Sequence, residues 1–160
     1  MTTQVHILFV CMGNICRSPA AEGVFRHYIG EQGDQQRIRV DSAGTLSYHA
    51  GSPADERMQQ AASRRGYALD SIARQVKPDD IQAFDLIIPM DEQNLTELEL
   101  LAGGPREHIR LLGSWLPGVG EPSVPDPYYG GEAGFEQVLD MIEAACPALH
   151  AHCRTLLDGK

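Results

Sequence analysis

The residues best suited to chemistry are a cysteine and an arginine separated by five others: Cys11-Met12-Gly13-Asn14-Ile15-Cys16-Arg17, followed by Ser18 and Pro19. The segment lies between an apolar run, Val5 to Val10, and a stretch whose apolar residues recur at helical spacing. At the mouth of a helix, such a loop can turn its backbone N–H groups inward, and the helix N-terminus adds the positive end of its dipole. The product is a cradle for an oxyanion. Arg17 adds a planar fork able to grip two phosphate oxygens at once. Cys11 lies in the same field, which favours its thiolate form. A nucleophile beside an anion cradle points to phosphoryl transfer through a cysteine.

The elements that must position these residues follow in order along the chain. Val5 to Val10 reads as a strand buried on both faces of a parallel sheet. Ser18 as N-cap and Pro19 at the first helical position predict a helix carrying Ala21, Val24, Phe25 and Tyr28. Ile38 to Ser42 is a second strand. Ser52-Pro53-Ala54-Asp55 opens another helix, with Met58, Ala61 and Ala62 on its apolar side. Pro78-Asp79-Asp80 starts a short helix, and Phe84 to Met90 forms a third strand that delivers Asp91 at its end. Leu95 to Leu101 is helical, and Ile109 to Leu112 reads as a fourth strand. Leu116 to Gly134 is a long loop rich in Pro and Gly, the kind that usually carries function. A final helix bears the stripe Phe135, Val138, Leu139, Ile142, Cys146, Leu149, Cys153 and Leu156, and Pro147 is expected to kink or split it. Four strands alternating with helices imply a doubly wound α/β domain over residues 1–160, with its ligand at the C-terminal strand ends.

The Cys11–Pro19 loop resembles the signature of the low-molecular-weight protein tyrosine phosphatases. The likeness continues in order through Asp41-Ser42-Ala43-Gly44-Thr45, Ala73-Arg74-Gln75-Val76, Met90-Asp91-Glu92-Gln93-Asn94-Leu95 and Asp126-Pro127-Tyr128-Tyr129-Gly130, and covers nearly the whole chain. It implies a four-stranded parallel sheet in order 2-1-3-4 with helices on both faces. It also implies hydrolysis of phosphotyrosine, and of small aryl phosphates, through a phosphocysteine. Cys11 would attack phosphorus in line while Arg17 and the loop from Met12 to Cys16 hold the equatorial oxygens. Phenolate, with a pKa near 10, needs a proton donor to leave. Asp126 is the candidate, since Pro127 restricts it to an extended shape that could reach over the cradle. Once ionised, the same carboxylate could activate the water that releases phosphate.

Supporting roles are expected around this core. Asn14 tolerates left-handed backbone and would hold the loop's turn. Ser18 would donate to the thiolate. Ser42 either supports the loop through Asn14 or is a strand-end serine. Asp91 either orients Arg17 or caps the next helix. Ile15, Tyr48, Tyr128 and Tyr129 would wall a slot deep enough for a phenyl ring. Family members often carry tryptophan where Tyr48 stands, and many place histidine where this chain has Asp70-Ser71-Ile72. Cys16 is either a redox partner that shields Cys11 in a reversible disulfide or a small packed side chain.

The remaining composition bounds the alternatives. A formal net charge of −9 argues against nucleic acid, which needs a basic face. The longest apolar run is too short for a membrane span, and the N-terminus has no signal-peptide pattern. Four cysteines do not make a secreted disulfide scaffold, and a reduced, cytoplasmic setting suits a catalytic thiol. Cys146, His150 and Cys153 share a helix face, but four converging zinc ligands are not present and core packing explains them better. The mechanism calls for no metal and no cofactor. Arsenate reductase on the same scaffold would need relay cysteines near Gln82 to Met90, where this chain has none. A protein-arginine phosphatase would carry threonine at Ile15. The expected partner is a phosphotyrosine-containing protein, with inorganic phosphate as product. For a bacterial source, the resemblance implies a tyrosine autokinase of polysaccharide export.

Overall fold

A computed structural model describes residues 3–118 and 122–160 of the chain. Three parallel strands form the sheet: β1 (Val5–Cys11), β2 (Ile38–Gly44) and β3 (Leu86–Pro89), in spatial order β2-β1-β3. The helices are α1 (Arg17–Glu31), α2 (Glu56–Ser63), α3 (Asp80–Ala83), α4 (Glu92–Ala102) and α5 (Glu132–Asp158). Side chains on a strand alternate between faces, and β1 shows why the sheet is covered on both. Val5, Ile7, Phe9 and Cys11 join the core built with α1, α2 and α5, whereas Leu8 and Val10 join Val76, Ile81, Leu98 and Ile109 on the opposite side. The architecture is therefore an α/β fold with a parallel sheet between helical layers.

The expected fourth strand is corrected. Ile109 makes a single parallel bridge to Ile87, with Ile87 N–H donating to the His108 carbonyl at 2.8 Å and Arg110 N–H to the Ile87 carbonyl at 3.0 Å. The ladder stops there because its neighbour is only four residues long and ends at Pro89, which has no N–H to continue it. The chain then winds into a 3-10 turn, Leu112–Trp115, that buries Leu112 and Trp115.

Two helix expectations also change. Helix α1 begins two residues earlier than expected, at Arg17 with Cys16 at its N-cap, and the Ser18 hydroxyl is used elsewhere. Helix α5 runs unbroken through Pro147. Pro147 sits on the exposed side, where losing one backbone hydrogen bond costs least. Of the long loop, residues 119–121 lie outside the described residues.

The register decides where the site falls. Cys11 pairs with Gly44 and Val10 with Pro89, so β1, β2 and β3 end along one sheet edge. Cys11, Ser42 and Asp91 arrive there together.

Candidate active site

Cys11 is the last residue of β1 and is 3% exposed. The loop that follows turns at Asn14, the one non-glycine residue with positive φ (58°) among the described residues. Asn14 is suited to that conformation, and its backbone N–H points at the Cys11 sulfur at 3.3 Å. Ser18 Oγ lies 3.0 Å from the same sulfur. The loop rests directly on backbone. A Cβ at Gly44 would come within 2.8 Å of the Met12 carbonyl oxygen, so only glycine fits beneath it. Thr45 N–H donates to the Cys11 carbonyl and Leu46 N–H to that of Met12, at 2.9 and 3.0 Å.

Side chains brace the loop from behind. Asn14 Nδ2 donates to Ser18 Oγ at 2.8 Å and to Ser42 Oγ at 3.0 Å, while its Oδ1 accepts from Arg74 N–H at 3.0 Å. Ser42 in turn donates to Glu22, and Glu22 is paired with Arg26, both contacts at 2.6 Å.

Arg17, the first residue of α1, is almost fully buried. Its Nη1 donates to Asp91 Oδ2 at 2.5 Å and to the Val124 carbonyl at 3.0 Å. Asp91 Oδ1 accepts from Asn94 N–H at 2.8 Å. Asp91 thus contacts Arg17 and caps α4 at the same time. Arg17 Nη2 lies 3.7 Å from Asp126 Oδ2. Asp126 Oδ1 accepts from Tyr128 N–H at 3.0 Å, a local turn that aims the carboxylate back at the cradle.

These groups open into a cavity of about 310 Å³ whose lining includes Cys11, Ile15, Arg17, Tyr48, Asp126 and Tyr128. Tyr48 and Tyr129 form an exposed rim, at 85% and 89%. A larger, shallower hollow of about 620 Å³ near Phe84 and His108 has no cysteine or serine in its lining. Cys11, Arg17 and Asp126, the residues expected to do chemistry, all line the smaller cavity.

Three features escaped the sequence reading. His49 packs edge-on against Tyr48, with centroids 4.7 Å apart, and fills the space in front of Gly13. Arg57 is held by both oxygens of Asp55 and lies under the rings of Tyr128 (5.3 Å) and Phe135 (4.8 Å), so it clamps the Asp126 loop to α2. Glu22 and Arg26 complete the brace behind Ser42. Their spacing from Ser18, at i+4 and i+8 on one helix face, was the available signal.

Cys16 is buried beside the cradle, and that burial pushes its thiol up, helped by the nearby charges of Asp55, Cys11 and Asp126. Cys146 donates to the Ile142 carbonyl and His150 pairs with Asp34, so the stripe on α5 is engaged in packing. Among the described residues, no group of three or more His, Cys, Asp or Glu is placed to hold a metal ion.

A cysteine at a strand end, an anion cradle opening a helix and an aspartate across from it place the chain among α/β proteins built around a phosphate-binding loop. Residues 6–157 match the family model for low molecular weight phosphotyrosine protein phosphatase. A low molecular weight protein-tyrosine-phosphatase of Streptomyces coelicolor is 43% identical over 159 residues, covering 97% of each chain. YfkJ from Bacillus subtilis superposes with TM-score 0.89 and 39% identity, covering 96% of both chains. A protein tyrosine phosphatase from Entamoeba histolytica, solved with Hepes in its active site, gives TM-score 0.87 and 43% identity over 92% of this chain and 96% of that one. The chain belongs to the low molecular weight phosphotyrosine protein phosphatase family.

Proposed function

We propose that this protein hydrolyses phosphotyrosine in protein substrates by way of a phosphocysteine. Cys11 attacks phosphorus as the thiolate. Arg17 and the loop amides from Met12 to Cys16 hold the three equatorial oxygens, and Ser18 stabilises the sulfur. Asp126 protonates the departing phenolate and afterwards takes a proton from the water that releases inorganic phosphate. Asn14 and Ser42 keep the loop in shape, and Asp91 keeps Arg17 aimed. Ile15, Tyr48, Tyr128 and Tyr129 receive the phenyl ring. The observation that carries this reading is the convergence of Cys11, Arg17 and Asp126 on one ring-sized cavity.

Isoleucine at position 15 lines that cavity and leaves an apolar wall suited to a phenyl ring rather than a guanidinium. Cys16, the thiol adjoining Arg17, serves as the partner that traps oxidised Cys11 as a disulfide. A reducing cytoplasm suits four free thiols. Among phosphotyrosine proteins, the family resemblance favours a bacterial tyrosine autokinase as substrate. Among the described residues, no helix is long and apolar enough to cross a membrane.

The test is turnover of a phosphotyrosine peptide and of p-nitrophenyl phosphate by Cys11→Ser and Arg17→Lys. Both should lose nearly all activity while keeping the fold, since an ammonium cannot reproduce the planar grip. Substantial turnover by Cys11→Ser would remove Cys11 as the nucleophile.

A further inference from the structure

We infer that Glu22 and Arg26 are positioning residues for the reaction. Together they fix the direction of the hydrogen bonds behind the phosphate loop, so that Ser18 must donate to the Cys11 sulfur. The inference rests on Cys11 being the nucleophile. Ser18, Glu22 and Arg26 occupy successive turns of one face of α1, running from the sulfur outward to the protein surface.

The direction of each bond is set by a group that has no choice. The backbone N–H of Arg74 can only donate, and it donates to Asn14 Oδ1 at 3.0 Å. The Asn14 amide nitrogen therefore faces Ser18 and Ser42, and both hydroxyl oxygens must accept from it. At the other end, the Glu22 carboxylate can only accept, and it sits 2.6 Å from Ser42 Oγ. The single Ser42 proton is thus committed to Glu22. Ser18 retains one proton with two acceptors in range, the Cys11 sulfur at 3.0 Å and the Ala43 carbonyl at 3.4 Å. The shorter contact, to a thiolate, takes it.

The opposite polarity would turn Asn14 over and draw both serine protons towards its oxygen. Cys11 would then lose its hydroxyl donor and keep only the Asn14 N–H. This arrangement is blocked twice: two donors would meet at Arg74, and two acceptors would face each other at 2.6 Å between Ser42 and Glu22. Arg26 tightens the second block. Its Nη2 lies 2.6 Å from Glu22 Oε2 and 2.8 Å from the Val40 carbonyl, so it occupies the outer carboxylate oxygen and leaves the inner one to Ser42. Glu22 itself is 5% exposed and has no other cation within ion-pair distance among the described residues. A hydroxyl held on the sulfur favours the thiolate as nucleophile and, in the second step, as leaving group from phosphorus.

The decisive variant is Glu22→Gln, which changes no shape. Arg26 claims the introduced amide's oxygen, so its NH2 faces Ser42. Ser42 then accepts there, and its proton is driven towards Asn14, where another donor already stands. Alkylation of Cys11 by iodoacetate should move to higher pH. Phosphoenzyme formation from p-nitrophenyl phosphate should slow by roughly 10- to 100-fold, the scale of a hydrogen bond to a charged group. Competitive inhibition by inorganic phosphate should change little, because the cradle is intact. Adding Arg26→Met frees the amide to turn its oxygen to Ser42, and the double variant should recover most of the loss. A purely structural ion pair predicts the reverse, with the double variant no better than the single one. Ser42→Ala, which removes the Glu22 end without adding a donor, should shift the alkylation profile the same way by a smaller amount. Wild-type alkylation profiles in both Glu22→Gln and Ser42→Ala, or no recovery in the double variant, would overturn the inference. Turnover by Cys11→Ser would instead overturn the assignment of the nucleophile on which it rests.

Discussion

Asp91 and Arg17 meet at 2.5 Å through one carboxylate oxygen, while the other oxygen of Asp91 accepts the Asn94 N–H at 2.8 Å. One side chain thus ties the start of α4 to the arginine of the cradle. The two duties separate under substitution. Asp91→Asn keeps an oxygen for the cap and gives up the charge, so stability should move little while phosphoenzyme formation falls. A guanidinium displaced by about an ångström costs on the order of 10²-fold in such a step. Asp91→Ala should lose activity and also about 1 kcal/mol of stability, the usual worth of an N-cap. Thermal unfolding and single-turnover kinetics on the two variants read these separately, and equal stability loss in both would refute the division.

Asp126 should matter in proportion to the leaving group. An acidic phenol departs without protonation, whereas tyrosine phenolate gains much from a general acid. Asp126→Asn should therefore slow phosphoenzyme formation from a phosphotyrosine peptide by about 10²–10⁴, and far less from an aryl phosphate of an acidic phenol. Hydrolysis of the phosphocysteine should slow as well, equally for both substrates. Equal slowing of the two phosphorylation steps would reduce Asp126 to a structural part of its loop.

The two cradle cysteines differ in environment, and that difference sets the order of oxidation. Burial pushes the Cys16 thiol up and keeps it protonated, whereas Cys11 receives the Asn14 N–H and stands beside the Ser18 hydroxyl. Peroxide should convert Cys11 to the sulfenic acid with loss of water. The Cys16 thiol then condenses with it to a disulfide, releasing a second water. Activity should return with a thiol reductant, and mass spectrometry should find Cys11 linked to Cys16. In Cys16→Ser, the same exposure should go on to irreversible loss. Equal recovery of the two proteins would leave Cys16 as packing alone.

Just past the C-terminal end of α1, the end away from the loop, Asp34 is buried against α5, accepting from His150 Nε2 at 2.6 Å and Arg154 Nε at 3.1 Å. Burial would raise its carboxyl, but the hydrogen bonds from His150 and Arg154 outweigh this and hold it below the ordinary range. A depressed carboxylate stabilises the fold above its unfolded value, about 3.9, and that contribution fades as pH falls through the folded one. Acid should therefore destabilise the wild type below about pH 4 more steeply than it does Asp34→Asn. At neutral pH, the variant should be less stable by about 2 kcal/mol. Parallel curves of Tm against pH for the two proteins would rule the contribution out.

The parts of this molecule visible in its sequence are those encoded locally. The run from Val5 to Val10, the Cys11–Arg17 spacing and the stripe on α5 each declare themselves within one element. The fourth strand did not survive because pairing is a property of two segments: Ile109 looks like a strand residue, but Pro89 ends the ladder it would have joined. Ser18 looks like a helix cap until the sulfur 3.0 Å away is known. Arg57 and His49 were illegible for a similar reason, since their partners, Tyr128 and Gly13, come from distant parts of the chain.

The bond from Arg17 Nη1 to the Val124 carbonyl has a bearing on how any dissection of this site must be interpreted. Val124 lies two residues before Asp126, and its N–H is anchored to the Met90 carbonyl at 2.9 Å. The arginine proposed to receive the phosphate is therefore also a tie-rod for the segment carrying Asp126. Shortening or replacing it withdraws a cation and, in the same stroke, slackens the proposed proton donor. The separate losses from Arg17 and Asp126 variants would then count one mechanical linkage twice, and combining them should cost less than their product.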